Sequence, residues 1–342
     1  MTSANAAMRL LAHYSNNARC LPWRTPPDGG KPDAYRVWLS EVMLQQTTVA
    51  AVTPRFERFV QRWPTVQALA AAKDEDVLSE WAGLGYYARA RNLIACARAV
   101  ASVGSFPETE AGLRQLPGIG DYTAAAVAAI AFGESSPVVD TNVNRVVARL
   151  HGLALPKPDQ VRALVRAMIP DVAPGDFAQA MMDLGATLCR PKRPSCELCP
   201  LRPDCVAAAS GNPEQFPAPR IKAARPHRFG TANWIERDGC IWLVRRPPSG
   251  LLGGMAALPG NAWDSEGPAP VAITNVRHVF THFSLDLSII VGGEPSGAGW
   301  WQSVDRLQEA GLPTLYRKAV EKMLASREPR SRLSLDGSAI GP

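Results

Sequence analysis

The first part of the chain distributes apolar and polar residues with the period of a helix. Through residues 1–206, apolar positions recur at spacings of three and four, alanine is frequent, and strand-like alternation is scarce. Proline or glycine interrupts the pattern at Pro64, Gly104–Pro107, Pro156 and Pro170, where turns are expected. The pattern predicts a mainly α-helical N-terminal region.

The pattern changes twice after that region. Residues 207–228 are rich in Pro, Ala, Arg and Lys and lack apolar periodicity, which is typical of an extended connector. Further on, short β-type runs such as Cys240–Val244 and Leu285–Val291 alternate with Gly and Pro turns, and a late helix is predicted over Leu315–Ala325. We therefore predict a helical domain over 1–206, a connector over 207–228, a small α+β domain over 229–326 and a disordered tail over 327–342.

Composition and charge narrow the function classes. The 342 residues are 46% hydrophobic and 20% charged, as in globular proteins long enough for two cores. The formal net charge is +6 and the isoelectric point is about 9.0, which suits a polyanionic partner without requiring one. We find no signal peptide and no apolar run of roughly 18 residues, so we expect a cytoplasmic protein with no membrane segment.

A glycine turn followed by an alanine-rich helix is the most informative feature. Leu116–Gly120 reads Leu-Pro-Gly-Ile-Gly, and Tyr122–Phe132 is predicted as a tightly packed helix. Because Gly118 and Gly120 have no side chains, the backbone N–H groups of the turn can approach a phosphate at the helix N-terminus. An ordinary turn between two helices is the alternative. A phosphate contact of this kind would hold the backbone of DNA rather than read its sequence.

Two carboxylates stand in largely apolar surroundings. Glu41 lies in a helical segment with Trp38 and Met43, and a carboxyl kept dry there would hold its proton above the ordinary pKa. Such a group can act as a general acid at neutral pH, although a glutamate on a solvated helix face is the alternative. Asp140 follows a Val-Val pair, which predicts a partly sheltered carboxylate.

Four of the seven cysteines are crowded into seventeen residues, at Cys189, Cys196, Cys199 and Cys205. An odd total and this crowding favour metal ligation over a disulfide framework. Thiolates at this spacing can hold either zinc or an iron-sulfur cluster, and the presence of a single Cys-x-x-Cys pair favours 4Fe-4S. Basic residues among the cysteines predict contact with DNA phosphates, with a solvated basic surface as the alternative.

Two further segments carry side chains that can enter a stack of bases. Gln45 and Gln46 bear donors and acceptors that can probe base edges or fill a gap, or they can be ordinary helix-surface amides. Tyr86 follows a flexible Gly-Leu-Gly segment and is a candidate wedge, the alternative being that Tyr86 and Tyr87 are both core residues. An inserted wedge offsets the stacking that is lost when a base is flipped out of a duplex.

Together these segments resemble the helix-hairpin-helix DNA glycosylases that carry an iron-sulfur cluster, and most closely the adenine DNA glycosylases of the MutY type. The resemblance covers nearly the whole chain. It rests on Leu21–Arg24 (LPWR), Ser40–Thr47 (SEVMLQQT), Gly83–Leu93 (GLGYYARARNL) and Gln179–Ala186 (QAMMDLGA). It implies a helix-hairpin-helix glycosylase fold with an iron-sulfur module.

The resemblance also implies roles for individual residues. Glu41 would protonate adenine at N7, and Asp140 would stabilise the oxocarbenium-like sugar or bond to it transiently. Tyr122 and Asn142 would orient these two carboxyl groups. The remaining implied positions are Trp23 and Arg24 in the adenine pocket, and Gln46 and Tyr86 near the opposite base.

One position predicts how the reaction ends. In the bifunctional endonuclease III type, the residue two places after the Gly-x-Gly turn is a lysine that forms a Schiff base with the sugar and cuts the strand. Tyr122 occupies that position here. We therefore expect base excision without an efficient lyase step.

The C-terminal domain resembles the Nudix-related module with which these glycosylases recognise 8-oxoguanine. The resemblance rests on Trp242–Pro247, Gly250–Met255 and Leu258–Gly260. No segment after Pro259 supplies the carboxylates of a working Nudix hydrolase, so pyrophosphatase activity is not expected.

The chain departs from the family pattern in two places. The recognition loop often reads Phe-Ser-His in the family, whereas here Thr281 replaces the serine before His282. Threonine keeps the hydroxyl group and adds a methyl group, so a contact of both residues to the lesion is still implied. The second departure is the longer Thr25–Pro32 loop, which contains Gly and Pro.

These observations predict a monofunctional DNA glycosylase that excises adenine mispaired with 8-oxoguanine or guanine and so initiates base excision repair. Its partner would be double-stranded DNA containing that mispair, bound by a monomer in the cytoplasm and associated with the nucleoid. Two alternatives stay open, namely a related mismatch or pyrimidine glycosylase and a non-catalytic lesion-binding protein with a structural cluster. The presence of both Glu41 and Asp140 argues against the latter.

Overall fold

The computed structural model describes residues 3–27, 29–219, 224–247, 250–261, 263, 267 and 271–326. These residues form two compact units, the first comprising 3–80 and 88–219 and the second comprising 81–87 and 224–326. The tail predicted over 327–342 lies outside the described residues. Within the described ranges, no helix is long and apolar enough to cross a membrane.

The first unit is mainly helical, which confirms the prediction from periodicity. Its α-helices in chain order are α1 Ser3–Asn17, α2 Ala34–Leu44, α3 Val49–Arg62, α4 Val66–Ala70, α5 Asp74–Glu80, α6 Ala88–Val103, α7 Glu110–Leu113, α8 Asp121–Phe132, α9 Thr141–Leu150, α10 Pro158–Arg166, α11 Pro174–Thr187 and α12 Val206–Ala209. Short 3-10 turns lie at Cys196–Leu198, Arg202–Asp204 and Pro213–Gln215.

Capping side chains explain where several of these helices begin. Asp33 accepts hydrogen bonds from backbone N–H groups in the first turn of α2. Thr48, Thr65 and Thr109 accept in the same way at the starts of α3, α4 and α7. Each acceptor satisfies an N–H group that has no partner within its helix, which stabilises the helix by about 1 kcal/mol. Residues next to each helix therefore determine where it begins.

Helix α8 is the core of the first unit. Its residues from Thr123 to Ala131 are buried on every side, as expected for a helix without a polar face. Most of them are alanines, so neighbouring helices can approach the backbone closely. On α11, Gly175 lies so near that a Cβ atom there would be 2.6 Å from the carbonyl oxygen of Ala129. The helix ends at Gly133, whose φ of 73° is left-handed and favours glycine.

The segment predicted as a connector over 207–228 begins differently in the structure. Its first residues complete α12, and a 3-10 turn follows. Arg149 on α9 donates a hydrogen bond of 3.0 Å to the carbonyl oxygen of Phe216, and the N–H of Ala218 donates one of 2.8 Å to that of Ala154. Residues 207–219 are thus packed on the helical unit. Their turns are too short to show a period in the sequence.

The second unit is a small α+β domain, which also confirms the prediction. Its strands are β1 His227–Trp234, β2 Glu236–Arg237, β3 Cys240–Arg245, β4 Ala256–Ala257, β5 Thr274–Val279, β6 Ser284–Val291 and β7 Gly299–Ser303. One sheet has the order β1-β6-β5, with β1 and β6 parallel and β5 and β6 antiparallel. In the other sheet, β3 pairs antiparallel with β2, β4 and β7. Helix α13, Thr314–Ala325, contributes Leu315, Tyr316 and Met323 to the hydrophobic core of this unit.

Replacement of Gly175 tests the close approach of α11 to α8. A Cβ atom there would also lie 2.9 Å from Cα of Ile130, and backbone atoms cannot move aside as a flexible side chain can. We expect Gly175→Ala to lower the free energy of unfolding by about 1–3 kcal/mol, the usual range for overpacking. Urea unfolding followed by far-ultraviolet circular dichroism measures the difference.

The matched control is Gly120→Ser. A Cβ atom at Gly120 would meet nothing within 4 Å, and serine is a favoured residue at the start of a helix. We expect this variant to be at least as stable as the natural chain. If Gly175→Ala were equally stable, the contact between α11 and α8 would not be the tight one described.

Candidate active site

Glu41 lies on α2 with its carboxyl group inside the helical unit. The residue is 6% exposed, and its Oε2 accepts a hydrogen bond of 2.6 Å from the hydroxyl of Tyr122. Burial raises the pKa of Glu41, while the Tyr122 hydrogen bond and the charge of Arg24 lower it by less. The charge of Asp140 adds to the rise. The carboxyl therefore holds its proton to higher pH than a glutamate in water does.

Tyr122 is placed by the turn that begins α8, since it is the second residue of that helix. Its hydroxyl also lies 3.4 Å from Sδ of Met182 on α11. Burial raises the pKa of Tyr122 well above its ordinary value, and the charges of Glu41 and Asp140 raise it further. The phenol is therefore protonated at neutral pH and donates to Glu41.

Asp140 serves both as a helix cap and as a charge at the site. It is the N-cap residue of α9, and its Oδ1 accepts a hydrogen bond of 2.6 Å from the N–H of Val143. Its Oδ2 accepts one of 2.9 Å from Nδ2 of Asn142. These bonds orient the carboxylate. Because its charge acts on the pKa of both Glu41 and Tyr122, the two carboxyl groups belong to one site.

Asn142 is held in turn by Arg145 on the same helix. The Nη2 of Arg145 donates to Oδ1 of Asn142 at 3.0 Å, and to the carbonyl oxygen of Gly185 at 2.8 Å. Its Nε donates to the carbonyl oxygen of Cys189 at 2.9 Å. Because a guanidinium can only donate, the first bond turns the NH₂ end of the amide toward Asp140. The close approach of α11 depends on Gly185, where a Cβ atom would lie 2.6 Å from that of Asn142.

A buried ion pair holds Arg24. Oδ2 of Asp183 on α11 lies 2.7 Å from Nη1 of Arg24, and Oδ1 accepts a hydrogen bond of 2.6 Å from Nε of Arg19. Burial by itself would raise the pKa of Asp183, but the hydrogen bonds and charges of the two arginines lower it below the ordinary value. Burial lowers the pKa of Arg24, but the hydrogen bond and charge of Asp183, together with the charges of Tyr14 and Glu41, raise it above the ordinary value. Both partners are therefore charged.

A small pocket opens beside Glu41. Trp23 lines this pocket and packs edge to face against Phe56, with ring centroids 5.3 Å apart. Both ends of the Thr25–Pro32 loop contribute to the wall. The lining residues are Trp23, Arg24, Thr25, Pro32, Val37, Ser40, Glu41, Ile130, Gln179 and Met182. The structure thus brings Trp23, Arg24 and Glu41 together.

Gln179 is a pocket residue that the sequence analysis missed. It lies on α11, it is 4% exposed, and its amide offers two donors and one acceptor beside Glu41. The available signal was a polar residue within a run of small and apolar residues that ends in Ala-Met-Met. Periodicity places such a residue on a helix, but it does not show which cavity the helix faces.

The glycine turn predicted to bind phosphate lies exposed before α8. Gly118 has a φ of 72°, and a Cβ atom there would collide with Asn92 on α6. Gly120 occupies the N-cap position of α8 and provides no side-chain cap. A helix that begins in this way presents backbone N–H groups to an anion.

Gln46 and Tyr86 share an uncommon backbone conformation. Their φ values are 55° and 48°, in the left-handed region that side chains disfavour and that functional sites often retain. Tyr86 is 42% exposed, whereas the adjacent Tyr87 is buried. Of these two tyrosines, only Tyr87 is therefore a core residue.

Thr281 and His282 form the exposed tip of the hairpin that joins β5 to β6 in the second unit. The N–H of Phe280 donates a hydrogen bond of 2.9 Å to the carbonyl oxygen of Phe283, which closes the turn. The hydroxyl groups of Thr281 and Tyr86, which belong to the same unit, are hydrogen-bonded to each other. The structure thus brings together two residues that the sequence analysis had placed at the lesion.

The four predicted ligand cysteines follow α11 and reach the start of α12. Cys189, Cys196, Cys199 and Cys205 are half-buried and form no disulfide. Burial raises the pKa of Cys196, Cys199 and Cys205, and in each case the charge of Cys189 adds to the rise, so the four thiols lie near one another. Among the described residues, no three His, Cys, Asp or Glu side chains are placed to hold a single metal ion. Arg149 donates from Nη1 to Sγ of Cys189 at 3.4 Å.

The chain matches two protein families. Residues 39–171 match the HhH-GPD superfamily of base excision DNA repair proteins, and residues 231–322 match the NUDIX domain. The first match contains Glu41, Tyr122 and Asp140, and the second contains Thr281 and His282.

Two relatives of known name match most of the chain. The adenine DNA glycosylase of Homo sapiens is 34% identical, in an alignment that covers 90% of this chain and 72% of that protein. The adenine DNA glycosylase of Mycolicibacterium smegmatis is 42% identical, in an alignment that covers 70% of this chain and 80% of that protein.

Solved structures support the fold of the helical part. A thermostable thymine-DNA glycosylase is 26% identical with a TM-score of 0.54, and the match covers 60% of this chain and 95% of that one. A trapped endonuclease III–DNA covalent intermediate is 25% identical with a TM-score of 0.52, and covers 62% of this chain and 99% of that one.

The cap formed by Asp140 can be tested apart from any chemistry. Asp140→Ser keeps a side-chain oxygen for the N–H of Val143, whereas Asp140→Ala removes it. We expect the alanine variant to be less stable than the serine variant by about 1 kcal/mol, measured by urea unfolding. Equal stability of the two variants would mean that the cap contributes nothing to the fold.

Proposed function

Because the chain belongs to the adenine DNA glycosylases of base excision repair, we propose that it excises adenine mispaired with 8-oxoguanine or guanine. The observation that carries the proposal is a pair of unlike carboxyl groups, Glu41 at the pocket and Asp140 close enough for its charge to raise the pKa of Glu41. Glu41 is buried and receives a hydrogen bond from Tyr122, whereas Asp140 accepts two hydrogen bonds. Such a pair can divide acid catalysis and charge stabilisation between its members when a glycosidic bond is cleaved.

Glu41 is the proposed general acid. Its raised pKa keeps a proton on the carboxyl group to higher pH than on a glutamate in water, and this proton passes to N7 of the flipped adenine. The bonding electrons between the sugar and N9 then leave with the neutral base. The carboxylate that remains is stabilised by the hydrogen bond from Tyr122 and by the charge of Arg24.

Asp140 is the proposed partner of the sugar. As the glycosidic bond breaks, positive charge develops on the sugar, and a fixed carboxylate can stabilise it or bond to it transiently. Asn142 and the start of α9 hold the carboxylate in one orientation, so it need not reorganise during the reaction. Water then adds to the sugar carbon, and the ionised Glu41 is available to take its proton.

The pocket supplies the groups that would contact the base. Trp23 offers an aromatic wall, and the amides and charges of Gln179 and Arg24 can meet the polar edge of a purine. The pocket has a volume of about 10 Å³, room for roughly one water molecule. Adenine can therefore enter only when the lining residues move apart, and Trp23, Arg24, Thr25 and Pro32 are the lining residues that lie outside helices.

Tyr122 supports the proposal that the enzyme leaves the abasic strand intact. A Schiff base with the sugar requires an amine, and Tyr122 offers a phenol that already donates to Glu41. The residue two places after the Gly-x-Gly turn therefore donates a hydrogen bond to the proposed general acid and offers no amine that could cut the strand.

Three features support binding to a DNA duplex. The turn at Gly118 and Gly120 presents the N-terminus of α8 to a phosphate. Gln46 and Tyr86 are exposed and are held in a strained backbone, which suits side chains that enter the gap left by a flipped base. In the second unit, the tip formed by Thr281 and His282 is the proposed reader of 8-oxoguanine.

The four cysteines fit a 4Fe-4S cluster. Four half-buried thiols lie near one another in this segment, and a 4Fe-4S cluster takes four thiolates. When bound, the cluster would tie the segment between α11 and α12 together and place negative charge beside Arg149. The basic residues of this segment, Arg190, Lys192, Arg193 and Arg202, would then face DNA phosphates.

A single-turnover assay tests the proposed reaction. The substrates are duplexes with adenine opposite 8-oxoguanine, guanine, cytosine or thymine, and strand breaks are measured with and without alkali. We expect breaks at adenine that require alkali and form fastest opposite 8-oxoguanine. Breaks without alkali would contradict the absence of a lyase step, and release of thymine instead of adenine would contradict the proposed substrate.

The same assay tests the two carboxyl groups. We expect Glu41→Gln and Asp140→Asn each to slow excision by at least about 10²-fold, because one loses the acid and the other the sugar's counter-charge. Duplex binding should be retained. Asp33→Asn is the matched control, since Asp33 caps α2 as Asp140 caps α9 but is exposed, whereas Asp140 is half-buried. A normal excision rate in either site variant would overturn the assignment.

The pH profile tests the role of Tyr122. Excision needs protonated Glu41, so on the alkaline side of the profile its rate should fall as the pH rises through the raised pKa of Glu41. Tyr122→Phe removes a bond that favours the ionised carboxylate. We therefore expect this variant to move the alkaline fall in the single-turnover rate to higher pH.

Tyr14→Phe is the control for the pH profile. It removes another buried hydroxyl of the same unit, one that has no hydrogen-bond partner among the described residues. Its alkaline fall should coincide with that of the natural chain. A Tyr122→Phe profile that did not move, or moved to lower pH, would contradict the proposed hydrogen bond to the acid.

A further inference from the structure

The turn that carries Thr281 and His282 is flanked by the aromatic rings of Phe280 and Phe283. Both tip residues are exposed and contribute nothing to the core, whereas Phe283 is buried and Phe280 packs against the core of the second unit. The rings of Phe280 and Phe283 lie 4.8 Å apart. The direction in which the tip points therefore depends on where these two rings are held.

Trp263 is the ring against which Phe280 stacks. The two ring centroids lie 5.6 Å apart, with their planes inclined by 23°. Trp263 is buried, and it fits against β1 because residue 230 is glycine, where a Cβ atom would lie 2.5 Å from Cδ1 of Trp263. The indole is thus a fixed surface beneath the turn.

Arg246 also packs on this indole. Its guanidinium carbon lies 4.4 Å from the centroid of the Trp263 ring. Its Nη1 donates to the hydroxyl of Tyr316 on α13 at 3.1 Å, and its Nε donates to the carbonyl oxygen of Leu251 at 3.2 Å. Three contacts therefore fix the guanidinium of Arg246. A planar cation fixed in this way restricts the movement of the Trp263 indole on which it packs.

We propose that Arg246 and Trp263 are positioning residues for lesion recognition, because they orient Phe280 and through it the tip at Thr281 and His282. This inference rests on the proposed role of that tip as the reader of 8-oxoguanine. 8-Oxoguanine differs from guanine by one oxygen and one N–H group, so discrimination depends on hydrogen bonds that a small rotation of the tip would lose. Neither positioning residue touches the lesion.

Arg245 provides a matched control on the neighbouring residue. It also places its guanidinium over a tryptophan, with Cζ 5.2 Å from the ring of Trp300, and it also donates to a backbone carbonyl, that of Gly254. Trp300 lies on β7, which pairs with the central strand of the other sheet and not with β5 or β6. Loss of Arg245 therefore removes the same kind of contact without disturbing the rings beneath Phe280.

The experiment compares single-turnover excision of adenine opposite 8-oxoguanine with that opposite guanine, using the full chain below saturation. For Arg246→Met we expect the ratio of the two rates to fall by about three- to tenfold, as loss of a cation–π contact and its hydrogen bonds would produce. The rate opposite guanine should change by less than about twofold. Arg246→Lys, which keeps the cation, should recover part of the ratio, and Arg245→Met should leave it unchanged.

Trp263→Phe keeps a ring beneath Phe280 and should lower the ratio less than Trp263→Leu does. The rate opposite guanine, measured on the same preparations, separates positioning from misfolding, because a misfolded fraction lowers both rates alike. Equal loss of both rates in Arg246→Met would overturn the proposal, as would an unchanged ratio.

His282→Ala distinguishes failure of this inference from failure of the proposed function. A lower ratio in His282→Ala together with an unchanged ratio in Arg246→Met would leave the reading role intact and reject the positioning role. An unchanged ratio in both His282→Ala and Thr281→Ala would reject the reading role itself.

Discussion

Close packing around α8 is the constraint on which the helical unit depends. Because α8 is mostly alanine and is buried on all sides, α11 reaches its backbone at Gly175. The site groups lie on the same helices, with Glu41 on α2, Tyr122 on α8 and Gln179 on α11. A change that separates these helices would therefore displace the acid and the groups around it together. The geometry of the pocket is set largely by the core.

Within this packing, the surroundings of Asp183 favour its ionised form, whereas those of Glu41 favour its neutral form. Asp183 and Arg24 are both ionised, since each lies against an opposite charge at hydrogen-bonding distance. Among the residues that the structure describes, Glu41 has no ion-pair partner, and burial favours its neutral form. Arg24 is close enough to lower the pKa of Glu41, but its guanidinium is bound to Asp183. It therefore acts on Glu41 through its charge and not through an ion pair. The neutrality of Glu41 thus depends on the arginine being engaged elsewhere.

Much of this arrangement could be predicted from the sequence, because both the helical period and the family's segments are local signals. They place Glu41 and Asp140 and the four cysteines in their elements. They do not show which side chains meet across elements, so the pairing of Asp183 with Arg24, the bridge from Arg145 to Asn142 and the pocket position of Gln179 emerge only from tertiary packing. The packed start of the predicted connector was missed for a related reason, since its turns are held by contacts with α9 and with the loop beyond it.

The left-handed backbone at Gln46 and Tyr86 has a consequence for how this protein tolerates change. Glycine at either position would relieve a conformational penalty of about 1 kcal/mol or more, and so would be favoured by any selection for stability alone. It would also delete the exposed side chain. If the two side chains enter DNA as proposed, selection for stability and selection for repair would favour different residues at these positions, and a thermostabilised variant would bind DNA less well although its fold is more stable.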